Sequence, residues 1–84
     1  IEWARIEPKP GEFNYDEIKH YHNVLTSLKK RKIQVMLTLH HFTNPEWFAR
    51  RGGWINYRSP AYFKRYVEFV VKNLGALVDF WITI

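Results

Sequence analysis

The sequence predicts an α/β fold, a β-α-β-α-β unit whose strands lie parallel. Three observations carry this reading. Residues 33–39 and 78–84 read as strands, and the first is almost uninterruptedly apolar from Val35 to Leu39, as in strands covered on both faces. Two long segments place apolar residues at helical spacing. Proline and glycine fall between these segments or at their ends, where they punctuate rather than disrupt.

Each element has a local reason. A first strand is expected over residues 1–6, before Pro8, Pro10 and Gly11 break the chain. A helix is expected over residues 15–31. Asn14 is a good N-cap, Glu17 three residues on resembles a capping box, and Ile18, Tyr21, Leu25 and Leu28 share one face. The second strand, residues 33–39, leads into a loop over residues 40–57 with a short helical turn near 46–50. Gly52 and Gly53 permit tight backbone geometry before Trp54. A connection of this length suits a functional loop better than a minimal one. The next helix is expected to open with Ser59 as N-cap and Pro60 as first helical residue. It presents Phe63, Tyr66, Val67, Val70 and Leu74 on one face, and Gly75 is placed to stop it. A third strand follows over residues 78–84.

Helical crossovers between parallel strands build two large folds, the open doubly wound sheet and the closed (β/α)8 TIM barrel. No Gly-x-Gly-x-x-Gly or Gly-x-x-x-x-Gly-Lys-Ser/Thr sequence follows a strand, which favours the barrel. In a barrel all strand C-termini open on one face, so Arg5 and the His40-His41 pair converge on one pocket. The chain starts and stops within strand-like apolar runs, whereas domain termini are usually surface segments. Residues 1–84 are therefore expected to be one partial domain, incomplete at both ends.

Composition narrows the partners. The net charge of +5 owes much to Lys29, Lys30, Arg31 and Lys32, which close the first long helix, where cations offset the negative end of the helix dipole. That placement argues for a solvated surface and against nucleic acid. The absence of cysteine excludes disulfide and thiol chemistry. No stretch is long enough to span a bilayer.

The most informative stretch is Thr38-Leu39-His40-His41-Phe42-Thr43-Asn44-Pro45, where an apolar strand ends in two histidines and an aromatic. Taken with Ile1-Glu2-Trp3-Ala4-Arg5-Ile6-Glu7-Pro8, Gly52-Gly53-Trp54 and Phe80-Trp81-Ile82-Thr83-Ile84, it resembles glycoside hydrolase family 1, the retaining β-glucosidases and their relatives. The resemblance runs over the second to fourth barrel strands. It implies a parent enzyme that hydrolyses terminal β-linked glucosides, with β-galactosides as a second class, and that needs no cofactor and no metal. In that family one glutamate, in an Asn-Glu-Pro sequence after the fourth strand, is the acid/base, and another on the seventh strand is the nucleophile. Both lie outside these residues, so the segment alone is expected to be inactive. A small β-glycoside or oligosaccharide is the expected partner; nucleic acid and membrane are not.

The same resemblance suggests three site residues. Arg5 matches the arginine that supports the nucleophile, and a guanidinium can hold a carboxylate ionised and oriented. Its alternative is an ordinary ion pair at a strand end. Adjacent strand residues point to opposite sides, so only one of His40 and His41 should face the pocket. Residue spacing leaves that choice open. The family motif sets its sugar-binding histidine just before an aromatic, which selects His41, with Phe42 beside it and His40 as a structural residue satisfied by backbone. Phe42 stands where many relatives carry tryptophan, and Thr43-Asn44 where Asp-Leu is commoner. Trp47 and Trp54 read chiefly as loop anchors, with sugar stacking as the alternative. The competing functional class is a barrel that binds carbohydrate, or serves as a scaffold, without catalysis.

Overall fold

The computed structural model describes residues 1–84, in which two long helices and two short parallel strands form an α/β unit. In order, these are α1 (Trp3–Ile6), α2 (Tyr15–Lys30), β1 (Met36–Thr38), α3 (Glu46–Arg50), α4 (Ser59–Leu74) and β2 (Phe80–Ile82). Single 3-10 turns lie at Gly53–Ile55 and Gly75–Leu77.

β1 and β2 pair in parallel, with Met36 beside Phe80, Leu37 beside Trp81 and Thr38 beside Ile82. The backbone bonds Phe80 N–H to Val35 O (3.0 Å) and Leu39 N–H to Ile82 O (2.9 Å) extend the ladder at both ends. Side chains alternate across the strand. Val35, Leu37 and Leu39 are therefore buried toward the helices, while Met36, Phe80 and Ile82 form an open face on the other side. The core is one cluster that joins Trp3 and Ile6, Ile18 and Leu25 of α2, Trp47 and Phe48 of α3, and Tyr66, Val70 and Leu74 of α4.

Local chemistry explains most boundaries. Asn14 caps α2 through Oδ1, which accepts from Asp16 N–H (3.1 Å) and Glu17 N–H (3.2 Å). The reciprocal half of a capping box is absent, because Asn14 N–H donates instead to Ile6 O (2.8 Å). Lys29 and Lys30 occupy the last turn of α2 as expected. Gly52 sits at φ +94°, a conformation open to glycine, and so lets α3 turn back into the Gly53–Ile55 turn.

Two expectations need correction. Residues 1–6 do not make a strand: Trp3–Ile6 is a helical turn, closed by Glu7 N–H to Trp3 O (2.8 Å). The physical reason is spacing. Trp3, Ile6 and Glu7 lie at i, i+3 and i+4, so one helical face buries all three. Ile1 still reaches β1, its amino group donating to Thr38 O at 3.2 Å. Ser59 does not cap α4; Arg58 holds that position, and the buried Ser59 hydroxyl donates back to Gly53 O. Gly75 ends α4 directly after Leu74, as expected, but without a left-handed turn. It stays right-handed at φ −55°, and the chain tightens into the Gly75–Leu77 turn before β2.

Candidate functional site

The largest depression in the molecule lies at the C-terminal tip of β1. Its volume is about 470 Å³, within the usual range of small-ligand sites, and its lining is His40, His41, Phe42, Asn44, Trp54 and Ile84. β1 carries the two histidines to this tip, the left-handed Phe42 (φ +62°) ends the extended run, and β2 brings Ile84 alongside.

The two histidines separate cleanly. His40 is buried, its ring edge-on to Trp3, Trp54 and Phe63 at 6.5, 5.5 and 6.3 Å between centroids. Its Nε2 lies 2.8 Å from Asn44 Oδ1, so a side chain and not backbone satisfies it. His41 is exposed, with its ring 4.5 Å from that of Phe42. Phe42 is 86% exposed in this segment. The tryptophans separate too. Trp47 is a buried anchor whose indole N–H donates to Glu7 O at 2.8 Å, whereas Trp54 keeps 44% of its surface and forms a wall of the depression. An imidazole offers a hydrogen-bonding edge, and the Phe42 and Trp54 rings offer apolar faces. That combination suits a sugar, which alternates hydroxyl edges with C–H faces.

Arg5 does not join this group. It projects from α1 with 60% of its side chain exposed and pairs with Glu2 at 3.5 Å. His41 and Phe42 are brought together; Arg5 stands apart from the lining of the depression.

Sequence reasoning missed the residue that organises this end. Glu7 is fully buried, and its carboxylate accepts from Trp3 Nε1 (3.1 Å), Gly11 N–H (2.8 Å) and Arg65 Nη2 (2.6 Å). Gly11 presents its N–H from φ +74°, which explains a glycine there. With the Trp47 bond to Glu7 O, this one residue ties together α1, the turn after it, α3 and α4. A carboxylate between Ile6 and Pro8, four residues after Trp3, was the available signal. Tyr66 fixes the neighbouring backbone, its hydroxyl donating to Leu39 O at 2.7 Å. Burial pushes the Tyr66 phenol far above the ordinary tyrosine range, so it acts as a permanent donor.

Comparison with known proteins places the fold. The chain is 36% identical over 99% of its length to the chloroplastic galactolipid galactosyltransferase SFR2 of Arabidopsis thaliana, and spans 14% of that protein. It is 38% identical over 99% of its length to a 6-phospho-beta-galactosidase of Staphylococcus epidermidis, spanning 18% of it. Among solved structures it superimposes on the family 1 β-glucosidase of Thermotoga maritima in complex with isofagomine lactam with a TM-score of 0.96. That match has 29% identity over 100% of this chain and covers 19% of the other. The chain thus spans about a fifth or less of the relatives it matches, and its α/β unit is a segment of their (β/α)8 TIM barrel. Since the profile described as Glycosyl hydrolase family 1 also matches residues 1–84 without a break, the chain belongs to glycosyl hydrolase family 1.

Proposed function

We propose that this chain is part of a retaining β-glycosidase that hydrolyses terminal β-glucosides, with β-galactosides as a second substrate class. The observation that carries the reading is the tip of β1, where an exposed imidazole and an exposed phenyl ring border a depression of about 470 Å³ walled by Trp54. In this reading His41 hydrogen-bonds a hydroxyl of the sugar in the cleavage subsite, and Phe42 covers one edge of the ring. Such a contact aids catalysis to the extent that it strengthens as the sugar flattens toward an oxocarbenium-like transition state.

Retaining hydrolysis requires two carboxyl groups about 5–5.5 Å apart, one forming the glycosyl-enzyme bond and one protonating the leaving oxygen. Neither role falls to a carboxylate of this chain. Glu7 is fully enclosed and committed to three donors, and Glu46 is paired with Arg50 at 2.5 Å on the surface. The family pattern puts the acid/base in an Asn-Glu pair directly after Ile84, whose side chain borders the depression. Arg5 is assigned to support the nucleophile. Its present partner Glu2 is an exposed ion pair, of a kind that exchanges easily for a better one.

The test is hydrolysis of an aryl β-glucoside by the full-length protein that carries this segment, with the product anomer followed by NMR. Release of the β-anomer first supports the proposal. An intact barrel that lacks glutamate within two residues after Ile84, or that releases no sugar, overturns it in favour of a non-catalytic carbohydrate-binding barrel.

A further inference from the structure

The loop after β1 contains a turn that is costly for the residue at its centre. Phe42 sits at φ +62°, where bulky side chains are rare. Thr43 N–H donates to His41 O at 2.7 Å, a bond across a single residue that folds the backbone into a γ-type turn centred on Phe42. Within these residues the Phe42 ring is 86% exposed and lies edge-on to His41, so burial in this segment does not hold the turn. A strained conformation of this kind persists only when its surroundings impose it.

The surroundings here are specific. Leu39, before the turn, is held at both backbone atoms: its N–H donates to Ile82 O (2.9 Å) and its carbonyl accepts from Tyr66 (2.7 Å). Pro45, after the turn, is buried and has a fixed φ. Between these anchors, the two residues that flank the turn are joined directly, His40 Nε2 to Asn44 Oδ1 at 2.8 Å. An amide oxygen only accepts, so His40 carries its proton on Nε2. His40 Nδ1 is buried with no hydrogen-bond partner, so within residues 1–84 Asn44 is the one side chain that hydrogen-bonds the ring.

We infer that the His40–Asn44 hydrogen bond is a brace that holds the strained His41-Phe42-Thr43 turn, making His40 and Asn44 positioning residues for His41 and Phe42. The role in catalysis rests on the β-glycosidase reading above; the brace itself does not. The turn carries His41 and Phe42 to the lining of the depression, and the brace closes its base across four residues, where loss of one bond lets the backbone relax away from φ +62°.

The experiment compares Asn44→Ala, which removes the acceptor, with Asn44→Asp, which restores one, in the full-length barrel. His40→Phe serves as a second route, keeping an aromatic ring but no donor. For Asn44→Ala and His40→Phe we expect kcat/KM on an aryl β-glucoside to fall about 5-fold to 10-fold, the scale of one side-chain hydrogen bond. Asn44→Asp should recover most of that loss. With ¹⁵N-labelled histidine, the protected His40 Nε2–H resonance should vanish in Asn44→Ala and return in Asn44→Asp. Glycine takes positive φ freely, so Asn44→Ala added to Phe42→Gly should cost less than about 2-fold more. Equal losses for the Ala and Asp variants, or an undiminished cost in the Phe42→Gly background, would overturn the brace. A wild-type barrel with no glycosidase activity overturns the functional reading alone. The resonance then decides the brace: persistence in Asn44→Ala refutes it, and loss with recovery in Asn44→Asp supports it.

Discussion

The two ends of the β1–β2 pair are both closed by a carboxylate and a cation, yet they are built on opposite principles. At the C-terminal end Glu7 is fully buried and meets Arg65 at 2.6 Å, together with an indole and a backbone N–H. Arg65 also lies over Trp47 and Tyr62, at 5.7 Å from each ring. At the N-terminal end Asp79 meets Lys29 at 2.6 Å and accepts from Val35 N–H at 2.7 Å in the solvent-exposed corner between α2 and β2. Distance does not separate them. Burial does, because a carboxylate out of water cannot exchange a lost partner for solvent, whereas an exposed one can. The end that bears the candidate site is thus held by a buried carboxylate whose partners water cannot replace, and the other end by contacts that water can replace.

The largest effect expected is that of Glu7→Ala in the full-length barrel. It leaves Trp3 Nε1 and Gly11 N–H without an acceptor and takes the partner from Arg65, whose side chain is 38% exposed, and should lower unfolding free energy by about 3–5 kcal/mol, the cost of two orphaned donors and a partly buried ion pair. Chemical denaturation measures it, and a loss no larger than that of Asp79→Asn would erase the contrast between the two ends.

At the same end, His41→Ala should leave stability nearly unchanged but cut kcat/KM by roughly 30-fold to 1000-fold, about 2–4 kcal/mol, the range for a lost contact to a preorganised polar group. His40→Ala should cost catalysis less and stability more. Steady-state kinetics alongside thermal melts separates the two, and equal catalytic losses would remove His41 from its substrate-facing role.

The N-terminal end should reveal itself through pH. The hydrogen bond from Lys29, then that from Val35 N–H, holds the Asp79 carboxyl below its ordinary range. A carboxylate depressed in the folded state adds stability that is complete above its unfolded pKa and is lost as pH falls through the lower, folded value. Melting temperature followed from neutral to acidic pH should therefore show a decline that Asp79→Asn flattens. An unchanged acid limb in that variant would show that Asp79 contributes nothing.

The smallest effect serves as a control near the site. Arg50 and Glu46 lie 2.5 Å apart on α3, but both side chains are 76% exposed. Arg50→Ala should change stability by no more than about 0.5 kcal/mol. A larger loss would mean that burial is not what distinguishes the ion pairs of this molecule.

Much of this was legible in the residues. The Asn14 cap, the α2 and α4 faces, the short α3 helix and the extended runs at residues 36–38 and 80–82 all follow from local preference and apolar period, which short-range physics determines. The tip of β1 stood out for the same reason, as polar residues cut into an apolar run. Residues 1–6 misled because Trp, Ile and Ala satisfy both strand and helix patterns over so short a span, and the burial of Trp3, Ile6 and Glu7 on one face decided between them. Other facts were not local at all. That Glu7 meets Arg65, 58 residues away, that Asp79 meets Lys29, 50 residues away, and that Trp54 rather than Trp47 walls the depression depend on which surfaces touch after folding. The residue types alone determined that this chain is α/β and where its polar chemistry sits. Only tertiary structure decided which charges are buried, and that His40 is enclosed while His41 stays exposed, because desolvation is set by neighbours distant in sequence.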